Sequence, residues 1–387
     1  MIKSPIRLKH KKYQGESMKK LLVASLLLFS IIHAKEVKIG VVMPMSGPIG
    51  GFGQSANKGI ELAHKLQPKL KNGDSVKIIL LDNKSDKIES ANAMQKLVSS
   101  DNVAAVVGAL TSTNTMAITK IAGQSKTPIV APVATNILVT KNRKYANRVC
   151  FTDAFQGEVT ARFIKNNLKK SKVVIITDVK LDYSIGISKV FKREFKKMGG
   201  KILKQVKITS GNTDFKAAIS TIKSLNPELV FFPIYSAEAG LIAKQAKQLG
   251  LNVPFVGTDG MVADKVFFEI GGNAAEGFYN SDTFSAEAPK TTKLSKSFDK
   301  AYREKYNEKV HPFAAASADS YFIILNAMNQ CSDPTDGVCI NEKIKSTKNF
   351  EGVTGIISIE PNGDAKKSAV INQVQNGKLV YKTTVDP

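Results

Sequence analysis

The chain has 387 residues and a formal net charge of +23, and this length is enough for two domains of ordinary size. Its lysines are spread over the whole sequence and Trp is absent, whereas nucleic-acid binding favours clustered cations with interleaved aromatic side chains. We therefore expect no nucleic-acid partner.

The N-terminal stretch has the pattern of a signal peptide. Met18-Lys19-Lys20 precedes an apolar run from Leu21 to Ile32, which is too short to span a bilayer. We expect residues 1–34 to be removed, and either a long leader or a true start at Met18 fits the pattern. Residues 1–34 contain seven Lys and Arg residues and one acid, so the remaining chain keeps a net charge of +17. Export of this kind predicts a location in the periplasm.

From residue 37, short apolar runs alternate with amphipathic stretches, an order typical of a parallel sheet covered on both faces. The first set of predicted strands is 37–42, 76–81, 103–107 and 129–130, with helices at 55–65, 89–98 and 114–123. A second set has strands at 173–177, 202–208, 229–233 and 255–257, with helices at 157–169, 184–198, 213–224 and 237–249.

After about residue 280 the pattern changes to two long helices, 291–306 and 314–330, a short strand at 355–359, and a hairpin with the turn Asn376-Gly377. This tail is too small for a third domain. The predicted fold is α/β, with two doubly wound parallel-sheet lobes joined by a hinge of several strands. The predicted lobes are residues 35–153 with 283–358, and residues 154–282 with 359–387.

Three cysteines follow residue 34. Cys331 and Cys339 are separated by turn-forming residues, which favours a small disulfide-closed loop in an oxidising compartment. A metal or redox site is the alternative, but it lacks nearby histidines and the CxxC spacing. Cys150 lies in an apolar segment and is expected to remain a free thiol.

Open α/β sheets bind ligands at the carboxyl ends of their strands. Ser112 and Thr135 lie in such loops in the first lobe, where hydroxyls and helix N-termini suit a carboxylate, although each hydroxyl would also serve as an ordinary helix cap. In the second lobe Asp259, Tyr183 and Tyr235 follow strands. An acid with aromatic hydroxyls suits an ammonium group and an apolar side chain.

Several segments resemble the periplasmic leucine/isoleucine/valine-binding proteins of ABC importers, which are type I solute-binding proteins. The resemblance extends over residues 35–387, and the segments that carry it are IGVVMPMSGP (39–48), GALTSTNT (108–115), PVATN (132–136), FQGE (155–158), IAKQA (242–246) and FEGVTG (350–355). It implies the type I periplasmic-binding-protein fold. It also implies that the protein binds an amino acid, branched-chain or another small one, between its lobes and delivers it to a permease with ATPase subunits.

The resemblance also implies roles for individual residues. Ser112 and Thr135 would bind the α-carboxylate of the ligand, and Asp259 and the Val133 carbonyl would bind its α-ammonium group. Tyr183 and Tyr235 would close the pocket from the second lobe.

Two positions depart from the family pattern. Asp259 stands where some members have the longer Glu, and Phe52 stands where some have Tyr. The side-chain preference of the site is therefore open.

An enzyme is a poorer interpretation, because His64 and His311 are the two histidines beyond residue 34 and the glycines near residue 50 do not form GxGxxG. We expect no cofactor and no metal. The alternatives are a type I binding protein for an amide, urea or an aromatic acid, or a ligand sensor for a signalling receptor. Asp259 favours an amino acid, since an amide or urea has no ammonium group. The family resemblance implies a monomer.

Overall fold

A computed structural model describes residues 35–387, together with Met1 and Ser4. The predicted signal peptide falls, apart from those two residues, outside the described part of the chain. Among the described residues, no helix is both long and apolar enough to cross a membrane.

The strands, in chain order, are β1 (Glu36–Met43), β2 (Ser75–Asp82), β3 (Ala105–Gly108), β4 (Ile129–Ala131), β5 (Ala146–Arg148), β6 (Lys172–Asp178), β7 (Lys201–Ile208), β8 (Leu229–Phe231), β9 (Phe255–Gly257), β10 (Tyr279–Asp282), β11 (Phe350–Gly352), β12 (Gly355–Ile359), β13 (Ala365–Lys366), β14 (Ala369–Gln375) and β15 (Lys378–Val385). The α-helices are α1 (Gly50–Leu66), α2 (Lys87–Ser99), α3 (Ser112–Ser125), α4 (Asp153–Arg162), α5 (Asp182–Lys197), α6 (Lys216–Ser224), α7 (Ser236–Gln248), α8 (Val266–Gly271), α9 (Lys293–Tyr306), α10 (Pro312–Met328) and α11 (Gly337–Lys345).

The first large sheet is fully parallel, in the order β2-β1-β3-β4-β5. Strands β1, β3, β4 and β5 are largely buried on both faces, as expected for a parallel sheet with helices on either side, whereas the edge strand β2 is partly exposed. Val37, Ile39 and Val41 join one core with α1 and α10, whereas Val42 and Val106 join a separate core with α2 and α3. The strand order reverses at β1, which creates a crevice at the carboxyl ends of β1 and β3.

The second large sheet has the order β15-β14-β10-β9-β8-β6-β7. Strands β6 to β10 are parallel to one another, and the β14–β15 hairpin pairs antiparallel with β10. The predicted turn of this hairpin is confirmed, since Gln375 pairs with Lys378. Asn376 and Gly377 have φ values of 53° and 67°, the left-handed conformation that a tight hairpin turn requires.

The segment from α9 to β13 returns to the first sheet. Helix α10 packs on α1 at Gly59, where any Cβ atom would lie 1.9 Å from the Ala314 carbonyl oxygen. Strands β11 to β13 form a small antiparallel sheet, and Ile359 and Ala365 join the same core as β1. We therefore propose that the boundary between the lobes lies between Lys366 and Ala369, later than the boundary predicted after residue 358.

The chain passes between the two large sheets three times: after β5, after β10 and between β13 and β14. The predicted architecture of two doubly wound lobes joined by several crossing segments is thus confirmed. We call the part built on the first sheet the first lobe and the part built on the second sheet the second lobe.

Cys331 and Cys339 form a disulfide in the structure, with their Cα atoms 6.0 Å apart. The bond joins the turn after α10 to the first turn of α11. Cys150 is a buried free thiol, and burial raises its pKa to about 12.

Candidate functional site

The predicted binding residues lie at the carboxyl ends of strands from both lobes. Ser112 begins α3 just after β3, and Val133 follows β4 in the first lobe. In the second lobe Asp259 follows β9, and Tyr183 and Tyr235 follow β6 and β8 at the starts of α5 and α7.

A small cavity between the lobes brings six of the seven predicted binding residues together. Its lining consists of Phe52, Thr111, Ser112, Val133, Tyr183, Tyr235, Asp259, Gly260 and Phe313. The cavity holds about 10 Å³, room for roughly one water molecule. A larger depression of about 560 Å³ lies along the second and third crossing segments, but none of the predicted binding residues lines it.

The first lobe contributes hydroxyl groups and backbone donors. The Ser112 Oγ accepts a hydrogen bond of 3.2 Å from the Asn136 backbone N–H. The Thr135 hydroxyl is fully buried and lies beside the Asp153 carboxyl without the geometry of a hydrogen bond to it. Thr135 is the one predicted binding residue that does not line the cavity.

Ser112 and Thr135 do not act as helix caps. Thr111 occupies the N-cap position of α3 and makes no side-chain capping bond, while Asn136 caps the short helical turn that follows Thr135. The first N–H groups of α3 therefore have no side-chain cap, and such groups bind anions well.

The second lobe contributes a buried carboxylate held by two donors. The Asp259 Oδ1 accepts hydrogen bonds of 2.9 Å from the Tyr183 hydroxyl and 2.9 Å from the Gln156 Nε2. The Tyr183 hydroxyl also bonds the Thr258 hydroxyl and accepts a bond of 3.2 Å from the Gly260 N–H. The Asp259 side chain is therefore fixed in one orientation.

Several buried acids give the interior of the site a preference for cations. Burial raises the pKa of Asp259 to about 6 and the pKa of Asp153 to about 7. The pKa of Asp282 lies well above its usual value because of burial and the nearby Asp259 charge. A positive group placed here would favour the charged carboxylates.

An aromatic cluster extends from one lobe to the other. The Tyr235 ring stacks on Tyr183 at 5.6 Å and contacts the edge of Phe52 at 5.2 Å. Phe52 in turn meets Phe313 at 5.6 Å. These rings form an apolar wall beside the polar groups.

Three lining residues, Thr111, Gly260 and Phe313, and one neighbour of Asp259, Gln156, were not among the predicted binding residues. Gln156 was noted as part of a family segment, but its bond to Asp259 was not foreseen. Phe313 is the second residue of α10, which the sequence pattern began at residue 314. His311 caps α10 and contacts the Phe313 ring at 5.5 Å. Among residues 35–387, no group of three or more His, Cys, Asp or Glu side chains is arranged to hold a metal ion.

Known proteins share the overall fold of this chain. The family model described as "Periplasmic binding protein" matches residues 36–378. A leucine-binding protein from Thermotoga maritima has a similar structure, with a TM-score of 0.88 and 39% sequence identity, over 91% of this chain and 99% of that one.

Two further relatives have similar names. The branched-chain amino acid transporter substrate-binding protein of Streptococcus pneumoniae, solved in complex with isoleucine, has a TM-score of 0.84 and 32% identity, over 91% of this chain and 100% of that chain. A Leu/Ile/Val-binding protein of Rhizobium johnstonii is 28% identical over 367 residues, which is 93% of this chain and 97% of the relative.

Proposed function

We propose that this chain, which belongs to the periplasmic binding protein family, binds a branched-chain amino acid between its lobes as the solute-binding component of an ABC importer. The observation that carries the proposal is that one cavity is lined by a buried carboxylate of the second lobe, Asp259, and by Ser112 at the uncapped N-terminus of α3 in the first lobe. An amino acid carries the two charges that these groups complement.

The α-carboxylate of the ligand is assigned to the first lobe. Ser112, Thr135 and the uncapped start of α3 offer hydrogen-bond donors and the positive end of a helix dipole. Charge-assisted bonds of this kind are stronger than bonds between neutral groups.

The α-ammonium group is assigned to Asp259 and the Val133 carbonyl. Asp259 is 3% exposed, so an ion pair formed there is screened little by solvent. Gln156 and Tyr183 orient the carboxylate through Oδ1.

The ligand side chain is assigned to the aromatic wall of Phe52, Tyr235 and Phe313. An apolar wall favours leucine, isoleucine or valine over polar amino acids. The relatives from Thermotoga maritima and Streptococcus pneumoniae, named for leucine and for branched-chain amino acids, support this choice.

Binding requires movement of the lobes. The cavity of about 10 Å³ has room for about one water molecule and is far smaller than an amino acid, so the lobes must separate to admit the ligand. We infer that the ligand first docks on Ser112 and Thr135, and that closure then adds Tyr183, Tyr235 and Asp259. A ligand held from both sides selects the closed state.

The remaining assignments follow from the same role. We propose that residues 1–34 direct export to the periplasm, that the mature chain is a monomer, and that its partners are a permease and ATPase subunits. An amide, urea or an aromatic acid is not favoured as the ligand, because each would leave the buried Asp259 without a cation. A receptor sensor is not favoured, because the relative from Streptococcus pneumoniae is named a transporter substrate-binding protein.

A thermal-shift screen of purified residues 35–387 tests the proposal. A ligand at a hundred times its Kd adds about 2.7 kcal/mol to the stability of the native state, so leucine, isoleucine or valine should raise Tm by a few degrees. Calorimetry should then give one site per chain.

The size-matched variant Asp259→Asn provides the control. It should keep the fold but lose about 3 kcal/mol of binding free energy, because one partner of a buried ion pair is removed. No response to any amino acid, together with a response to urea or benzoate, would contradict the proposal.

A further inference from the structure

One buried cation binds the loop that carries Val133 and Thr135. Arg148, the last residue of β5, is fully buried. Its Nη1 donates a hydrogen bond of 2.6 Å to the Ala134 carbonyl, and its Nη2 donates one of 2.8 Å to the Asn136 carbonyl. The guanidinium group therefore holds the backbone on both sides of Thr135.

The guanidinium group is itself anchored. The Arg148 Nε lies 2.9 Å from the Asp364 Oδ1, and Nη2 donates a further bond of 3.0 Å to the Thr140 hydroxyl. The Thr140 hydroxyl donates in turn to the Asp364 Oδ1, at 2.6 Å. Because the donors of an arginine form a rigid planar fork, this anchor fixes the positions of both carbonyls that the fork holds.

The loop after β4 depends on such partners for its shape. Residues 132–136 belong to neither a helix nor a strand, so side chains and neighbouring segments must satisfy their buried backbone groups. The Thr135 carbonyl accepts a bond of 2.8 Å from the Asp153 N–H, and Arg148 satisfies the carbonyls on either side. The path of the loop is thus set by these bonds and not by regular secondary structure.

The shape of the loop reaches the cavity through Ser112. The Asn136 N–H donates to the Ser112 Oγ at 3.2 Å, and Ser112 lines the cavity. A hydroxyl that accepts this bond keeps its own proton for a second partner, such as a carboxylate. The two carbonyls held by Arg148 belong to the peptide units on either side of the unit that carries this N–H. Because each peptide unit is planar, Arg148 fixes the donor from both ends.

The same loop meets the second lobe in the closed arrangement. The Asn136 Nδ2 donates a bond of 2.7 Å to the Asp182 backbone carbonyl. A Cβ at Gly186 would lie 2.5 Å from that Nδ2, so the fit is close. A displacement of Asn136 would therefore disturb both the Ser112 hydroxyl and the contact made on closure.

We propose that Arg148 is a positioning residue for ligand binding, an inference that rests on the proposed function. It acts through the loop: its two carbonyl bonds hold Asn136, and Asn136 holds the Ser112 hydroxyl ready to donate to the α-carboxylate of the ligand. A donor that is oriented in advance loses less freedom on binding than one that the ligand must order. The effect of Arg148 therefore falls on affinity as well as on stability.

The test compares the loss of affinity with the loss of stability. Arg148→Lys keeps the charge but loses the fork that holds two carbonyls. Asp364→Asn is the matched control, because it removes the ion pair and leaves the bonds from Arg148 to the carbonyls. Calorimetry gives the Kd for leucine, and urea denaturation gives the stability.

Both variants should be less stable than the wild-type protein, but they should differ in affinity. Arg148→Lys should bind leucine about tenfold more weakly, whereas the Kd of Asp364→Asn should stay within about twofold of the wild-type value. An unchanged Kd in Arg148→Lys, or an equal loss of affinity in the control, would overturn the inference.

A double-mutant cycle shows whether Arg148 acts through Ser112. In a Ser112→Ala background, Arg148→Lys should weaken leucine binding by about threefold or less, because the hydroxyl that it orients is gone. A residue with a purely structural role would cost the same factor in both backgrounds. A further tenfold loss in the double variant would thus contradict the positioning role.

A second variant covers the case in which Arg148→Lys does not fold. Arg148→Met fills the buried volume without a charge and should lose leucine affinity to the same extent. Failure of both variants to fold would refute the positioning role, because the guanidinium group would then be required for the fold itself. A wild-type protein that binds no amino acid would refute the proposed function, whereas normal binding by both the wild-type protein and Arg148→Lys would refute the role of Arg148 alone.

Discussion

Asp259 is a short side chain in a position where the ammonium group of the ligand must reach it. Tyr183 and Gln156 both bond its Oδ1, so the carboxylate is oriented before a ligand arrives. Preorganised groups of this kind lose little entropy on binding. The burial of this carboxylate also disfavours its charged form and raises the pKa of Asp259 to about 6.

Ligand affinity should therefore depend on pH. An ammonium group favours the charged carboxylate, so binding below about pH 6 must release a proton and weakens by up to about tenfold per pH unit. Affinity should rise with pH and level off above the pKa of Asp153, about 7, because that buried acid titrates nearby. Calorimetry at about pH 5 and about pH 8, in buffers of different ionisation enthalpy, measures both the affinity and the proton release.

The stability of the ligand-free protein should change in the opposite sense. The folded-state pKa of Asp259 is above its unfolded value, so its contribution to stability is present below about pH 4 and is lost as the pH rises through about 6. The variant Asp259→Asn should bind more weakly at every pH and depend less on pH. An affinity for leucine that is the same at both pH values would count against Asp259 as the ammonium partner.

Individual residues differ in how far the sequence could identify them. Ser112 and Val133 follow strands and match family segments, and Asp259 also follows a strand, so their convergence on one cavity could be predicted. Gln156 could not, because its role depends on a contact with a residue more than a hundred positions away. Neither apolar periodicity nor loop chemistry indicates which buried amide will meet a given carboxylate.

At the scale of elements, the sequence pattern predicted the apolar strands well and the polar strands poorly. Strand β10 lies between β9 and β14 in the second sheet, yet its sequence, YNSD, has no apolar run. Its side chains instead enter a buried polar network, in which Ser281 bonds Gln156 and Thr160. Hydrogen bonding has replaced hydrophobic burial in this strand, and the sequence pattern does not record such a substitution.

The disulfide also concerns whole elements, because it connects the turn after α10 to α11. Closing a loop with a sequence separation of 8 should contribute about 2.5 kcal/mol to the free energy of unfolding in the chain-entropy model. The variant Cys331→Ser/Cys339→Ser should lose about this amount in urea denaturation. Leucine affinity should not change, because the disulfide is far from the cavity. Phe313 lies at the N-terminal end of α10 and the disulfide follows its C-terminal end, and these two ends are about 25 Å apart in a helix of this length.

Treatment with a thiol reductant gives the control for this prediction. The reductant should destabilise the wild-type protein by the same amount and leave the double variant unaffected. Equal stability of the oxidised wild-type protein and the variant would mean that the bond does not constrain the unfolded chain.

At the scale of the whole molecule, function depends on how the three crossing segments let the lobes move. The sequence predicted two lobes and a multi-strand hinge, because each α/β set forms its own sheet and the tail is too short for a third. It did not predict the contacts between the lobes at Asp182, Asn136 and Gly186, since these depend on the angle of closure. That angle is set by packing of the two lobes against each other and not by any local pattern.

Gly186→Ala should hold the lobes apart. An alanine Cβ at this position would lie 2.5 Å from the Asn136 Nδ2 and 2.7 Å from the Asp153 Oδ2, so the hydrogen bond from Asn136 to Asp182 would have to break on closure. Gly123→Ala is the matched control, because Gly123 is exposed on α3 and nothing lies within 4 Å of its Cβ position. Both substitutions place alanine in a helix, where it is favoured over glycine by about 1 kcal/mol, so both variants should fold.

Small-angle scattering with and without leucine measures the closure, and calorimetry measures its consequence. The wild-type protein and Gly123→Ala should become more compact on saturation with leucine. Gly186→Ala should bind leucine about tenfold more weakly and compact less, because its ligand gains the contacts of the first lobe but fewer of those from Asp259 and Tyr183. Full compaction with unchanged affinity in Gly186→Ala would show that closure does not need the close approach of α5 to Asn136, and the lobes would then be held together by the ligand alone.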